Sequence, residues 1–363
     1  MASKRRTTKK RLELISTVVF ITVVVIIAVI YYLFVPKAVD NKPVNTPQTI
    51  EGGALTGDFS VHFVDVGQGD GIIIVFPDGK TMLVDAGKYK KDSNLITYID
   101  DLGITVFDYV IATHTDEDHI GEMPTVFEKY QVNYVFRPHV YCSNDKAKGL
   151  SEGLNDVVGG KKCGTETYYK FLKAIDEEEN CQWSYFNKDS DLTFTFTADG
   201  VDYSCSFDFL TPTADVDNIS YSDPNDYSPI ILVDYCGYKI MLTGDAEAIT
   251  EKELLDYYSG DLDKMDVDVL KVGHHGAETS STPNFLAAVK AENFVISCGV
   301  GNTYNHPRYD TMVKLLEYGT VYRTDVQGSI VLSVSNSGEG TFKTEKTDYN
   351  ENDLYITPDM PSK

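Results

Sequence analysis

Two histidines and two aspartates alternate within six residues in Thr113-His114-Thr115-Asp116-Glu117-Asp118-His119. Imidazole nitrogens and carboxylate oxygens are ordinary donors to divalent cations, and this density in one loop is a metal-ligand composition. The loop follows the apolar run FDYVIA, so its side chains can converge over the end of a rigid strand. His114 and Asp116 can point one way, and Asp118 and His119 can bind a second ion. Leu242-Thr243-Gly244-Asp245 follows the run YKIM, where an Asp set by a glycine turn could bridge two cations. Lys271-Val272-Gly273-His274-His275-Gly276 follows DVDVL and adds a histidine pair between glycines. Four of the seven histidines thus lie in strand-end loops of one kind. A solvated polar loop is the bland alternative for each segment singly, but it does not account for all three.

Elements able to hold these loops are legible around them. Short β-branched runs (SVHFVDV, GIIIVF, KTMLVDA, FDYVIAT, NYVFR) read as strands in the first half. LTFTFT, SCSFDFL, PIILVDY, YKIMLTG, DVDVLKV, NFVIS, TVYR and GSIVLSV follow in the second. Helix-period segments fall near 93–102, 121–130, 166–178, 247–258, 283–290 and 309–318. The second half repeats the plan of the first. Two sheets packed face to face with helices outside fit this alternation, an α/β class built as an αββα sandwich. The stretch from about 140 to 190 is polar and enlarged, and could shape access to a site.

Residues 15–35 form an uncharged apolar run about long enough to cross a bilayer. The basic segment 1–14 precedes it and no comparable cluster follows, which predicts a single-pass N-terminal transmembrane helix with a cytoplasmic N-terminus and the rest outside. A small-x-small cleavage site is not evident after the run, so an uncleaved anchor is favoured over a signal peptide. Residues 36–57 have linker composition, 58–335 are the expected catalytic domain, and 336–363 read as a polar tail after one last strand.

Hydrophobic residues at 42% and charged residues at 24% are ordinary for a globular chain with a core, which excludes disorder over most of the length. Residues 1–35 hold six basic residues and one acid, so of the net −23 the remainder carries −28. Such a domain repels polyanions at long range unless a local cleft or bound metal reverses the field. None of the six cysteines sits in a CxxC. Cys236 and Cys298 read as buried thiols. Cys142, Cys163, Cys181 and Cys205 could form one or two disulfides outside the cytoplasm, with connectivity open.

The ordered motifs resemble the metallo-β-lactamase superfamily, and within it the C-terminal hydrolase-like domain of the DNA-uptake channel protein ComEC and its stand-alone relatives. The matching stretches are Val64–Asp70, Leu83–Gly87, His114–Gly121, Asn225–Ser228, Thr243–Asp245, Gly273–Gly276, Gly301-Asn302 through His306-Pro307, and Tyr322–Asp325, spanning roughly 58–335. The resemblance implies the metallo-β-lactamase fold and two divalent metal ions. His114 and Asp116 would bind the first, Asp118 and His119 the second, with Asp245 bridging. One of His274 and His275 would complete the second site while the other could face substrate. Asp85 would orient a ligand histidine. Asn225 and Ser228 fall in an Asn/Ser element of the family. Asn302 and His306 would be outer substrate contacts or turn residues. Asp118, Asp245 and His275 are the residues expected to act in turnover. Departures are visible. Asp116 stands where many members carry His, which makes Mn²⁺ plausible beside Zn²⁺. A third-motif His is not evident unless His139 supplies it. Glu122 replaces a usual Gly, and Ala277 stands where Ser is common.

Two close cations can generate hydroxide near neutral pH and clamp the oxygens of a phosphodiester. The expected function is therefore a membrane-anchored, extracytoplasmic, metal-dependent phosphodiesterase. Its substrate is either nucleic acid, such as extracellular DNA, or a cell-surface phosphodiester. Any DNA contact would rest on the metals and on nearby cations such as Lys271 and Arg323. The fold also hosts hydrolysis of lactones, amides and thioesters, and a non-catalytic metal-binding surface protein is a further alternative. Nothing in the sequence points to a protein partner beyond the membrane itself.

Overall fold

Strand-period runs assemble into two eight-stranded mixed sheets. The computed structural model describes residues 48–54 at the level of the backbone, then 57–155, 161–198, 200–215 and 218–359. The apolar run 15–35 lies outside these residues. Among the described residues no helix is long and apolar enough to cross a membrane.

In the first sheet, Phe59–Phe63, Gly71–Val75 and Thr81–Ala86 pair antiparallel. Tyr109–Ile111, Tyr134–Arg137 and Gln182–Tyr185 then extend it in parallel. The second sheet repeats this order. Leu192–Ala198, Val201–Phe209, Ile231–Tyr235 and Tyr238–Leu242 are antiparallel, and Val269–Lys271, Asn293–Ile296 and Thr320–Arg323 follow in parallel. The chain finally returns to the first sheet, where Ile330–Val334 pairs with Phe59–Phe63 on one side and Gly340–Thr344 on the other.

Alternation along these strands builds the interior. Phe59, Val61, Ile72, Ile74 and Phe76 from the first sheet meet Phe194, Phe207, Ile231 and Val233 from the second in one buried layer. Burying a side chain of this size stabilises the fold by roughly 1.5–3 kcal/mol. The outer faces are covered by helices. Asn94–Asp101 buries Leu95, Ile96 and Ile99, a helical stripe started by Ser93, whose side chain accepts from the Ile96 N–H. Glu166–Glu177 buries Tyr168, Phe171, Leu172 and Ile175, capped in the same way by Thr165. Ala248–Tyr257, Pro283–Val289 and Tyr309–Tyr318 cover the second sheet around Leu254, Phe285, Leu286, Met312 and Leu315. The layering is the αββα sandwich expected.

Two expectations about the margins change. Gln48–Ala54, inside the stretch read as linker, adds a parallel edge strand beside Leu192–Ala198. The stretch 336–363 is not a free tail through residue 359. Arg323 donates to the carbonyls of Leu354 (3.0 Å) and Ile356 (2.7 Å), and the Tyr309 N–H donates to the Asp359 carboxylate (2.9 Å). Its polar composition reflects an edge strand and surface turns rather than detachment. All six cysteines are free thiols.

Candidate metal centre

The parallel strands of both sheets end at one edge, and the expected loops start there. Asp85 closes Thr81–Ala86 with a left-handed φ of 58°, a conformation that turns its carboxylate across the next strand end. That carboxylate is fully buried and accepts from the Thr113 N–H (2.9 Å), the Thr113 hydroxyl (2.6 Å) and His119 Nδ1 (2.7 Å). Asp85 thus fixes the His119 ring with its Nε2 directed at Asp245 Oδ1, 3.2 Å away.

His275 is held in the same manner from the other sheet. Its Nδ1 donates to the Ser297 carbonyl (2.9 Å), and its Nε2 lies 3.4 Å from Asp245 and 3.6 Å from Asp118. His119 Nε2 and His275 Nε2 are 3.3 Å apart. His114 stands beside them, its ring centroid 4.1 Å from that of His119. Its Nδ1 faces the hydroxyls of Thr113 (3.1 Å) and Ser228 (3.2 Å), while its buried Nε2 has no hydrogen-bond partner. Ser228 also accepts from the Asp245 N–H at 3.1 Å, so it braces two candidate ligands at once.

Local backbone makes this convergence possible. His274 and His275 both adopt left-handed φ, at 47° and 54°. Two consecutive non-glycine residues there store strain of the sort that clusters at functional sites. At Gly69 a Cβ would fall 2.1 Å from the Asp118 carbonyl oxygen, so only glycine lets the opening motif lie against the metal loop. Gly244, at φ 49°, turns the chain into Asp245, and a Cβ there would crowd Thr113 and Ser228 at 3.0–3.1 Å.

The electrostatics describe a cation site. Burial opposes ionisation of Asp245, yet His119 and His275 hold its carboxyl well below the usual range. Burial likewise opposes a charged His119 or His275, but Asp245 and the other carboxylates raise both well above the usual histidine value. Burial lowers His114 and leaves it a neutral donor. Three groups of donor atoms lie close enough together to hold an ion: His114, His119 and Asp245; Asp118, His119 and His275; and Asp70, Asp85 and His119. The unpartnered His114 Nε2 and the facing Nε2 atoms fit a bound cation, because each imidazole has its other nitrogen committed. The two neighbouring histidines are placed differently. His275 is 1% exposed among the donors. His274 is 23% exposed, with Nδ1 on Glu247 (2.9 Å) and Nε2 3.8 Å from Asp245.

Other expected residues sit farther out. Asp116 is exposed at the start of the short helix Glu117–Ile120 and belongs to none of the three groups. Asn225 opens a 3₁₀ turn and its N–H donates to Asp223. Asn302 braces its own loop, donating to the carbonyls of Gly299 (3.0 Å) and His306 (2.6 Å). His306 is buried against the site, with ring centroids 5.4 Å from His274 and 6.3 Å from His275. Burial lowers it to about 4, keeping it neutral. His139 packs on Tyr185 at 4.5 Å and is in no donor group. Glu122 is buried and accepts from the Lys90 N–H.

Lys271 and Arg323, offered above as contacts for DNA, are corrected by their burial. Lys271 is fully buried and pairs with Asp70 at 2.8 Å, and Asp70 in turn lies 3.4 Å from His275 Nδ1. Arg323 is 2% exposed and paired with Asp325. Both serve the fold behind the site. Sequence reading missed the Asp70–Lys271 pair, the Ser297 carbonyl and Glu247. Asp70 had a signal in the opening motif, but a main-chain carbonyl leaves none. It also missed Tyr304, 61% exposed and stacked on His306 at 5.8 Å.

No family model matches the chain. It is 26% identical over 313 residues to ComE operon protein 3 of Bacillus subtilis, covering 79% of this chain and 34% of that protein. It is 28% identical over 278 residues to Recombination protein 2 of Haemophilus influenzae, covering 75% of this chain and 28% of that one. The chain therefore spans about a third of the length of the curated relatives it matches. Among solved structures it is similar to the metallo-beta-lactamase fold protein YhfI of Bacillus subtilis, at 11% identity and a TM-score of 0.44, covering 79% of this chain and 100% of that one. The likeness to ComEC competence proteins read from the motifs is borne out by the curated relatives.

Proposed function

We propose that this relative of the ComEC competence proteins is a metal-dependent phosphodiesterase, tethered by residues 15–35 with its catalytic domain outside the cytoplasm. The observation that carries the reading is the approach of His119 Nε2 to His275 Nε2 at 3.3 Å beside Asp245, with both Nδ1 atoms already committed. With both Nδ1 atoms committed, a divalent cation would take the place of the protons that the surrounding carboxylates otherwise hold on the facing Nε2 atoms.

His114, His119 and Asp245, together with Asp118, His119 and His275, are the donors that would hold two cations, Zn²⁺ or Mn²⁺. Such ions supply positive charge for phosphoryl oxygens and a water of lowered pKa as nucleophile. The chain's own residues orient and admit substrate. Asp85 and Ser297 lock the two donor rings. Asp118, 27% exposed, and His274 mark the open side. His274, steadied by Glu247, is placed to exchange a proton with a substrate oxygen there.

With Lys271 and Arg323 buried and paired, and the chain at −23, affinity for phosphate must come from the metals rather than from a basic track. A small or terminal phosphodiester, such as a cell-surface substituent, fits best. The observation that favours nucleic acid is Tyr304, whose exposed ring next to His306 can stack a base.

The test is a paired assay of full-length protein on bis-p-nitrophenyl phosphate and on an oligonucleotide, with Mn²⁺ or Zn²⁺ and with excess chelator, across ionic strength. The diester should be cleaved only with metal and be nearly insensitive to salt, whereas DNA cleavage should fall steeply. Equal turnover in chelator, or faster turnover of a lactone, thioester or β-lactam, would replace this reading. Salt-resistant DNA cleavage would put nucleic acid first. Protease added to intact protoplasts should digest the domain, and full protection would overturn the topology.

A further inference from the structure

Cys142 and Cys163 are direct partners in a short parallel ladder of Val140–Cys142 and Lys161–Cys163 that belongs to neither large sheet. Residues opposite one another in a ladder carry their side chains on the same face. Neighbouring strands lie about 4.8 Å apart, inside the roughly 4.4–6.8 Å Cα separation that a disulfide spans. Both backbones are fixed. Asn155 accepts from the Cys142 N–H (2.6 Å) and donates to the Cys142 carbonyl (2.9 Å). The Ser143 N–H donates to the Cys163 carbonyl at 2.7 Å. The other cysteines are placed differently. Cys205 is fully buried in the layer between the sheets, Cys236 lies at the end of a hairpin of the second sheet, and Cys298 is buried beneath its helices. Cys181 precedes the edge strand Gln182–Tyr185.

We propose that Cys142 and Cys163 form a disulfide once the domain meets an oxidising compartment, covalently closing the ladder of Val140–Cys142 and Lys161–Cys163. The inference stands on this ladder, independently of the phosphodiesterase reading. Two S–H bonds break and one S–S bond forms. The two electrons and two protons pass to a low-molecular-weight disulfide such as oxidised glutathione, whose own S–S bond opens to two thiols. Cys163, the more exposed partner, meets the oxidant first, and the buried Cys142 thiol displaces it. The staple has a structural purpose. A three-residue ladder alone is marginal. The segment is otherwise seated on Arg137, which is buried between the Trp183 and Tyr185 rings and donates to the carbonyls of Val140 and Leu154. A covalent closure restricts the unfolded chain most where the loop is long.

The experiment equilibrates full-length protein in glutathione buffers of increasing oxidised fraction, alkylates it, and maps non-reduced peptides by mass spectrometry. The expected result is one linked pair joining the Cys142 and Cys163 peptides, with Cys205 and Cys298 unlinked and inaccessible until unfolding. Cys163→Ser should abolish the link, leave Cys142 unpaired, leave metal content unchanged, and increase proteolytic nicking between 143 and 162 several-fold. Both thiols alkylated as freely in oxidising as in reducing buffer, or Cys142 linked chiefly to Cys181, would overturn the assignment. Should Cys163→Ser fail to fold, the wild-type peptide map alone decides.

Discussion

His119 Nε2 lies 3.3 Å from His275 Nε2, while Asp85 holds Nδ1 of the first ring and the Ser297 carbonyl holds Nδ1 of the second. The residues come from opposite sheets, so the contact exists only because both sheets end at one edge. Asp245 lies within 3.2 Å of the first ring and 3.4 Å of the second.

Asp118→Ala, Asp245→Ala and His275→Ala should each lower bound metal and remove phosphodiester turnover, because each deletes a donor from a group of three. His274→Ala should keep its metal and lose turnover by about 10²–10⁴-fold, the usual span for a lost proton-transfer group. Elemental analysis beside kcat separates the cases. Full metal occupancy with near-normal turnover in Asp245→Ala refutes the ligand map.

Asp85→Asn keeps the shape of the side chain but weakens the acceptor for His119 Nδ1. Metal affinity should fall by roughly 10–100-fold, the range for partners of ligand histidines. Competition with a chromogenic chelator measures this directly. Unchanged affinity would mean that packing alone orients His119.

Lys271→Met leaves Asp70 buried beside His275 without its cation. Removing one partner of a buried pair costs about 3–5 kcal/mol, so the urea midpoint should drop sharply. Asp70→Asn combined with Lys271→Met should cost less than Lys271→Met alone. An unchanged midpoint in the single variant would show that the pair is not energetically buried. A reduced salt slope for DNA in a still-folded Lys271→Met protein would restore Lys271 as a phosphate contact.

His62, which is in none of the donor groups, predicts an acid sensitivity of its own. Burial lowers it to about 4, and its ring nitrogens bond Ser60 (2.9 Å) and Tyr98 (2.9 Å). Below about pH 6.5 the unfolded chain binds a proton that the folded chain refuses, so stability falls as pH drops from there toward 4. The loss should reach roughly 3 kcal/mol, at about 1.36 kcal/mol per pKa unit. His62→Gln should flatten that part of the profile in chelator-treated protein. A parallel profile in the variant would rule His62 out.

Among the described residues, periodicity located the main strands and the six longer helices to within a few residues, because half-buried strands and one-sided helices write their burial into the sequence. Gln48–Ala54 and Gln182–Tyr185 escaped it, since QTIEGGA and QWSY carry no apolar alternation long enough to read. The loops bearing His114, His119, Asp245 and His275 were legible because ligand density at strand ends is rare. Lys271 and Arg323 were misread because a basic residue near a site looks the same in sequence whether it faces phosphate or a buried carboxylate.

The sequence by itself determined the two-sheet plan, the metal-binding composition and the likeness to ComEC proteins, all of which reside in local spacing and residue type. Only the tertiary structure put His275 in a donor group and left His274 at its margin, gathered His119 into all three groups, sank Lys271 onto Asp70 and set Cys142 opposite Cys163. Each of those outcomes depends on how two strand ends distant in the chain meet in space. That separation is fixed by packing between and within sheets, on which no local pattern bears.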